Sequence, residues 1–405
     1  MMEFEYDFDK ESPFQPGKPV SPDYFSGRKK IVAKILRYVN KAHNGDAQHY
    51  FITGKRGIGK TSLAKYVQNL TDDKMIGVYI SNKGNESLEI LAIQIIEGIL
   101  SKLPKDSVID KAKKIFGDHI ECIEIKGTKV NFRPGNSIGK DLVNNFAYYL
   151  NKIYKDIPNN KGIFLIIDDI NGLSESENFA NWYKRLVDIM EFDEEYKIPI
   201  YFLLAGYPQK FQRLVNQDES FARIFHYDNI DYLSNDEVKE FFIDTFKTVG
   251  MICEDDALEI MITFSSGLPL MMQEIGEAVF WETDGKIVTK SHALTGVIEA
   301  GKLIGARQIK PVMDKSIRSE NYESILLKLG EHSVDYFKKS DFEPKLTQAE
   351  RNVFHKFLQR ATELNILESV GKDKSGEYRF SNRLYLVYFM ILNLEKDKSL
   401  QTTLV

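Results

Sequence analysis

The chain has 405 residues, 43% of them hydrophobic and 28% charged, with a formal net charge of −5. That length exceeds one ordinary domain and predicts two or three, with ample core material. The slight acidic balance excludes a global pull toward nucleic acid or anionic lipid, so any such contact must be local. The first residues, MMEFEYDFDKESPF, are acidic and lack the basic-then-apolar layout of a secretory signal. Apolar runs such as GIFLII and IPIYFLLAG are strand-sized, too short to span a membrane. Cys122 and Cys253 lie far apart in no motif, as expected of reduced thiols. These features predict a soluble, cytoplasmic protein without membrane contact.

Residues 1–28 predict an extended strap, in which Phe4, Tyr6 and Phe8 alternate before Pro13, Pro16, Gly17 and Pro19. Period-two aromatics could instead add a strand to a neighbouring subunit. A helix follows from about Lys29 to His43, and Tyr50–Thr53 reads as the end of a buried strand. The glycine-dense GKRGIGKTS then runs into a helix over Leu63–Leu70. Ile76–Ser81 reads as a second strand, and Ser87–Leu103 carries Leu88, Leu91, Ile95 and Ile99 at helical spacing. His119–Gly135 alternates on both sides of Lys126, Gly127 and Thr128, which predicts a β-hairpin inserted into the strand–helix order. That hairpin is either an edge or lid ornament or a contact surface for a partner.

Asp141–Ile157 is helical. The strand Gly162–Ile170, a helix over Phe179–Met190, the strand Ile198–Gly206 and a strand near Phe225–Ile230 follow in turn. Continuous apolar strands alternating with helices predict a parallel sheet covered on both faces. From Ser234 to about Ile304 the pattern is wholly helical. It is helical again from Asn321 until a short hairpin, LESVGKDKSGEYRF. The expected domains are the strap (1–28), an α/β domain (29–233), a helical segment (234–305) and a C-terminal domain (306–395).

The stretch from Gly54 fits G-x-x-x-x-G-K-[ST] at Gly54, Gly59, Lys60 and Thr61, with a further Gly57. Glycines permit dihedrals and close approaches that a Cβ forbids, so successive N–H groups can converge on phosphate oxygens. Lys60 then reaches the β- and γ-phosphates as a point charge, and the Thr61 hydroxyl ligates Mg²⁺. The positive end of the following helix faces the anion. Gly54, Lys55, Arg56, Gly57, Ile58, Gly59, Lys60, Thr61 and Ser62 are therefore the expected phosphate-binding residues for ATP or ADP. Asp168 and Asp169 end the most hydrophobic strand, at the sheet edge where ligands bind. Asp168 is expected to orient Mg²⁺ beside Thr61, and Asp169 to polarise an attacking water. The alternative for Asp169 is a cap or a solvated loop residue.

With these motifs in place, the chain resembles the AAA+ ATPases over roughly Ser12 to Phe389. The resemblance is to the prokaryotic branch that includes archaeal origin-recognition ATPases and STAND-type signalling ATPases. SPFQPGKPVSPDYFSGR is similar to the family's approach segment, whose F-x-G-R box falls on Phe25, Gly27 and Arg28 and in relatives packs near the adenine. Gly267, Leu268 and Pro269 resemble the glycine–proline motif of the helical lid, which implies that Pro269 touches the nucleotide. The implied fold is α/β: a P-loop parallel sheet with helices on both faces, then an all-helical lid and a winged-helix domain.

Two departures from the family bear on turnover. At the end of the strand after the Asp-bearing one, where a polar residue is usual, stand Ala205, Gly206 and Tyr207. After the glycine motif, where many relatives carry an arginine, Met271–Glu274 reads MMQE. Both predict slow hydrolysis with binding intact. Arg223 lies where family members place a cation that completes a neighbouring subunit's site, which makes it a candidate catalytic residue beside Lys60 and Asp169. The alternative for Arg223 is a surface ion pair.

The C-terminal segment looks like a winged helix, a module that usually presents a helix to the DNA major groove. Its candidate contacts are Gln348, Arg351, Lys356, Gln359 and Arg360, with Lys372, Lys374 and Arg379 on the wing. Yet Asn321–Lys398 holds 13 Lys and Arg against 12 Asp and Glu, short of the basic footprint that phosphate neutralisation favours. The expectation is an ATP-driven switch that couples its nucleotide state to DNA or to a protein partner, with a homo-oligomer among the options. The alternative is a STAND-type scaffold whose nucleotide is structural. A small-molecule kinase is disfavoured, because the C-terminal half offers no acceptor site.

Overall fold

The computed structural model describes residues 10–46, 48–82, 84, 87–116, 120–126, 129–134, 138–176, 178–331, 336–370 and 376–403. Phe4, Tyr6, Phe8, His119, Gly127, Thr128, Gly135, Lys372 and Lys374, named above, lie outside the described residues. The chain forms two units: Pro19–Asp231, and a second made of Met1–Lys18 with Tyr232–Val405.

The first unit is built on strands β1 (His49–Thr53), β2 (Met75–Ser81), β5 (Gly162–Asp168), β6 (Ile200–Gly206) and β7 (Phe225–Asn229), between which lie β3 (Ile120–Lys126) and β4 (Lys129–Pro134). The five form one parallel sheet in the order β2-β5-β6-β1-β7, and β3 and β4 pair antiparallel by themselves. Every residue of β1, β5 and β6 is buried, as the continuous apolar runs require of a sheet covered twice. Phe51, Ile163, Leu165, Ile167, Phe202 and Leu204 share one core with helices α3 (Leu88–Leu100), α6 (Phe146–Tyr154) and α7 (Phe179–Phe192). Their strand neighbours Tyr50, Ile52, Phe164, Ile166, Tyr201 and Leu203 face the other way. Helices α1 (Lys29–His43) and α2 (Lys60–Asn69) contact the strands there.

The remaining helices of this unit are α4 (Lys105–Phe116), α5 (Ile138–Asn144) and α8 (Pro208–Gln217). The expected single helix over Asp141–Ile157 is two, because Asn145 leaves the helical region at φ −113° and ψ 28°. Its side-chain amide donates back to Asp141 Oδ1 at 2.7 Å, a local bond that competes with continued helix.

The second unit holds helices α9 (Asn235–Thr248), α10 (Asp255–Ser265), α11 (Pro269–Glu282) and α12 (Lys290–Ile304), with β8 (Ile252–Cys253) paired to β9 (Ile287–Val288). After a π-helical turn over Gly305–Ile309 come α13 (Lys310–Ser316), α14 (Glu320–Glu331), α15 (Lys339–Phe342), α16 (Gln348–Glu363) and α17 (Arg383–Thr403). β10 (Phe337–Lys338), β11 (Leu367–Ser369) and β12 (Glu377–Phe380) form an antiparallel sheet in the order β10-β12-β11. Of the strap's described residues, 10–18 belong to this unit, and those from Pro19 on belong to the first. Phe14 is buried among Phe241, Phe242 and Phe246, with ring centroids 4.9–6.4 Å apart. Its ring fills the space beside Gly276, where a Cβ would fall 2.1 Å from Phe14 Cε1. No helix among the described residues is long and apolar enough to cross a membrane.

Candidate functional site

Because the sheet is parallel, the turns after β1, β5 and β6 all emerge at one edge. The turn after β1 is the glycine loop. Gly57 and Gly59 sit at φ 78° and 90°, dihedrals that L side chains rarely adopt. A Cβ on Gly54 would come within 2.8 Å of Ile58 Cγ2 and 2.9 Å of the Ile230 carbonyl. Gly59 leads into α2, so the loop delivers its N–H groups at a helix N-terminus. Lys55 and Arg56 are exposed on the loop, and Ile58 is buried beneath it. The Ser62 hydroxyl accepts from the backbone of Val20 at 3.2 Å.

Lys60 opens α2 and folds its ammonium over the loop, donating to the carbonyls of Gly54 at 2.8 Å and Lys55 at 3.1 Å. The Tyr207 ring lies 5.0 Å from the same ammonium. Burial lowers the Lys60 pKa, and the carboxylates of Asp168 and Asp169 oppose that shift. Thr61 Oγ1 donates to Asp168 Oδ2 at 2.5 Å, bringing the motif threonine to the strand aspartate. Asp168 is buried and also accepts from Tyr79 at 2.8 Å and from the Asp169 backbone at 2.9 Å. Burial and then Asp168 raise the Tyr79 pKa, so the phenol stays a donor. Asp169 takes the left-handed conformation at φ 59°.

A hydroxyl and a carboxylate are the hard oxygen donors Mg²⁺ takes, and Mg²⁺ usually binds through one or two such groups plus substrate phosphates. Among the described residues no group of three or more His, Cys, Asp or Glu could hold a metal by itself. The donor set therefore fits Mg²⁺ arriving with a phosphate chain, held by Thr61 and Asp168.

The approach segment reaches the same loop. Gly27 and Arg28 are both left-handed, at φ 76° and 58°, which turns the chain into α1. The Arg28 guanidinium donates to the carbonyls of Ile58, in the loop, at 2.8 Å and of Asp231 at 2.9 Å. Phe25 stacks on Tyr66 of α2, ring centroids 4.3 Å apart and 16° from parallel. Pro269 stands in the other unit, as the first residue of α11. Further along that helix Glu274 is buried, its carboxyl raised by burial, with Arg307 at 3.5 Å.

Arg223 is exposed and lies two residues before Phe225, the β7 residue in register with His49 at the start of β1. The loop follows Thr53, at the opposite end of β1, so the structure does not bring Arg223 to this chain's own loop. Gln348, Arg351, Lys356, Gln359, Arg360 and Arg379 are all exposed. Several are engaged locally: Arg351 with the carbonyls of Glu343 and Pro344, Arg360 with Glu363, and Arg379 with Glu368.

Three site groups escaped the sequence reading: Tyr79, Asn171 and the ring of Tyr207. Tyr79 was open to detection, since it shares a strand face with Ser81, the partner in register with Asp168. Asn171 and Tyr207 carry no local signal, because loop closure brings them to the site.

A sequence model of the family described as an ATPase domain predominantly from Archaea matches residues 25–275. In structure the chain is similar to the Walker-type ATPase PABY2304 of Pyrococcus abyssi, with a TM-score of 0.54 and 14% identity over 90% of this chain and 96% of that one. It is similar also to the ORC2 protein of Aeropyrum pernix, solved as ADPNP–ADP complexes, with a TM-score of 0.57 and 14% identity over 97% of this chain and 98% of that one. At such identity the likeness shows the fold alone. No curated protein matches the sequence.

Proposed function

The chain belongs to the family of P-loop ATPase domains found predominantly in Archaea and has the AAA+ fold, and from that premise we propose that it is a nucleotide-driven switch. In this reading it binds ATP with Mg²⁺, hydrolyses it slowly, and couples the nucleotide state to binding of DNA or a protein partner. The observation that carries the reading is the 2.5 Å bond between Thr61 and Asp168 below the glycine loop. Bound Mg²⁺ supplies neutralisation of charge on the phosphate oxygens. Lys60 provides the second cation, turning from the Gly54 and Lys55 carbonyls to the phosphates. Asp169 orients the attacking water. Slow turnover is supported by the lack of a cation in Met271–Glu274.

For the partner, the order α14, β10, α15, α16, β11, β12 supports a winged-helix module, and α16 is its candidate recognition element. The local engagement of Arg351, Arg360 and Arg379 favours a second reading, in which this module meets a protein and the nucleotide is mainly structural. Turnover at saturating ATP, with and without duplex DNA, separates the two. A slow rate that DNA raises supports the first, and a rate near zero with tightly held ADP supports the second. Phosphoryl transfer to a small acceptor would overturn both.

A further inference from the structure

After β5 the chain reads Asp168, Asp169, Ile170, Asn171, Gly172. Ile170 is fully buried and its backbone N–H donates to the Ala205 carbonyl at 3.1 Å, which pins this turn to the end of β6. Both ends of the Asn171 side-chain amide are then used. Its Nδ2 donates to Asp169 Oδ1, and its Oδ1 accepts from the Tyr207 backbone N–H at 3.2 Å. Its own carbonyl accepts from the Ser174 hydroxyl at 2.7 Å, which holds the residue in place.

Gly206 makes room for this arrangement. A Cβ there would lie 3.1 Å from Ile170 Cγ1 and 3.6 Å from Asn171 Oδ1, so a β6 side chain would project toward the space the amide takes. The strand end that bears no polar side chain at Ala205 or Gly206 thus has an amide lying over it, brought from the β5 turn. Through the same amide, Asp169 is joined to Tyr207, whose ring lies 5.0 Å from the Lys60 ammonium.

We propose that Asn171 is a positioning residue for ATP hydrolysis, supplying from the β5 turn the polar group that β6 lacks and setting the plane of the Asp169 carboxylate. A carboxylate on a left-handed turn rotates about its side-chain bonds unless a donor fixes one oxygen. Fixing Oδ1 sets the direction in which the group accepts a hydrogen bond from water, and misplacement at this step is costly in rate. The inference rests on the reading of Asp169 as the residue that orients water.

The test uses the full chain with Asn171→Leu, Asn171→Asp and Asp169→Asn, comparing turnover at saturating ATP with ADP affinity by calorimetry. Asn171→Leu removes both amide bonds and should lower turnover by at least about tenfold, while ADP affinity stays within about twofold. Asn171→Asp keeps the shape and the acceptor for Tyr207 N–H but turns a carboxylate toward Asp169. At pH 8 it should fall at least as far as Asn171→Leu, and an anchoring role alone would leave it near the parent rate. Parent-like turnover in either Asn171 variant would overturn the inference, as would equal losses of turnover and ADP affinity. Asp169→Asn separates the two levels: if it is inactive while Asn171→Leu is parent-like, only the role of Asn171 fails. If Asp169→Asn itself turns over like the parent, or the parent has no turnover, the reading of Asp169 fails and the inference with it.

Discussion

Lys60 is the residue on which the site turns, since its ammonium rests on the loop carbonyls of Gly54 and Lys55 beside the Tyr207 ring, within the field of the Asp168 and Asp169 carboxylates. A charge-assisted bond to phosphate contributes about 1.5–3 kcal/mol. Lys60→Ala should therefore weaken ATP binding by roughly tenfold or more, read by calorimetry, and stop turnover. Unchanged affinity and rate would remove the phosphate role of the loop. Asp168→Asn should keep the fold, because an amide still accepts from Thr61 and Tyr79, yet lose the charge that favours Mg²⁺. The expected result is ATP binding that no longer tightens when Mg²⁺ is added. Persistent Mg²⁺ dependence in that variant would assign the metal elsewhere.

At the scale of the element, the start of α16 shows how a helix terminus can set acid stability. Thr347 and Glu350 form a reciprocal capping box, and Glu350 also accepts from Ser324 and Lys328 of α14, each at 2.7 Å. Burial alone would raise this carboxyl. The hydrogen bonds from Lys328, Ser324 and Thr347 outweigh it and hold its pKa at about 2. A depressed carboxylate pKa stabilises the fold above the unfolded value and loses that contribution as pH falls through the folded one. Glu350→Gln should thus destabilise the second unit by on the order of 3 kcal/mol near pH 7. The gap to the parent should narrow toward pH 2 in urea titrations, and a gap independent of pH would exclude ionic capping as the cause. Such elements also mark what the sequence makes legible. The phosphate loop, Asp168 and the buried strands are local patterns, so they read directly. The break at Asn145 turns on one side-chain bond to Asp141, and Asn171 meets Asp169 only once Ile170 is fastened to β6; neither leaves a period or a motif.

For the whole molecule, the distance of Arg223 from its own loop restricts its catalytic use to a neighbouring copy. An arginine supplied in this way is worth ~10³–10⁵ in rate. If Arg223 does act so, specific activity should rise with protein concentration, and Arg223→Ala should flatten that rise with ATP affinity intact. A rate that stays constant on dilution would leave Arg223 as a surface residue. The strap makes a separate claim at this scale. Phe14→Ala should cost the second unit about 3–5 kcal/mol, because a buried ring is lost and Gly276 has no side chain to fill the gap. Thermal unfolding followed by probes in each unit should show the loss in the second unit first, and a parent-like melting profile would mean the slot closes without the ring.

The seat of Phe14 has a consequence in time. Phe14 leaves the ribosome before Phe246, its nearest ring partner, which follows 232 positions later. At roughly 5–20 residues per second, the anchor waits on the order of 10–50 s for its slot to be synthesised. Throughout that interval the α/β unit can fold behind it, whereas the slot cannot close until α9 and the Gly276 stretch of α11 have emerged. The aromatic anchor thus stays outside its core throughout that interval, and the emergence of α9 and α11 decides when it can seat.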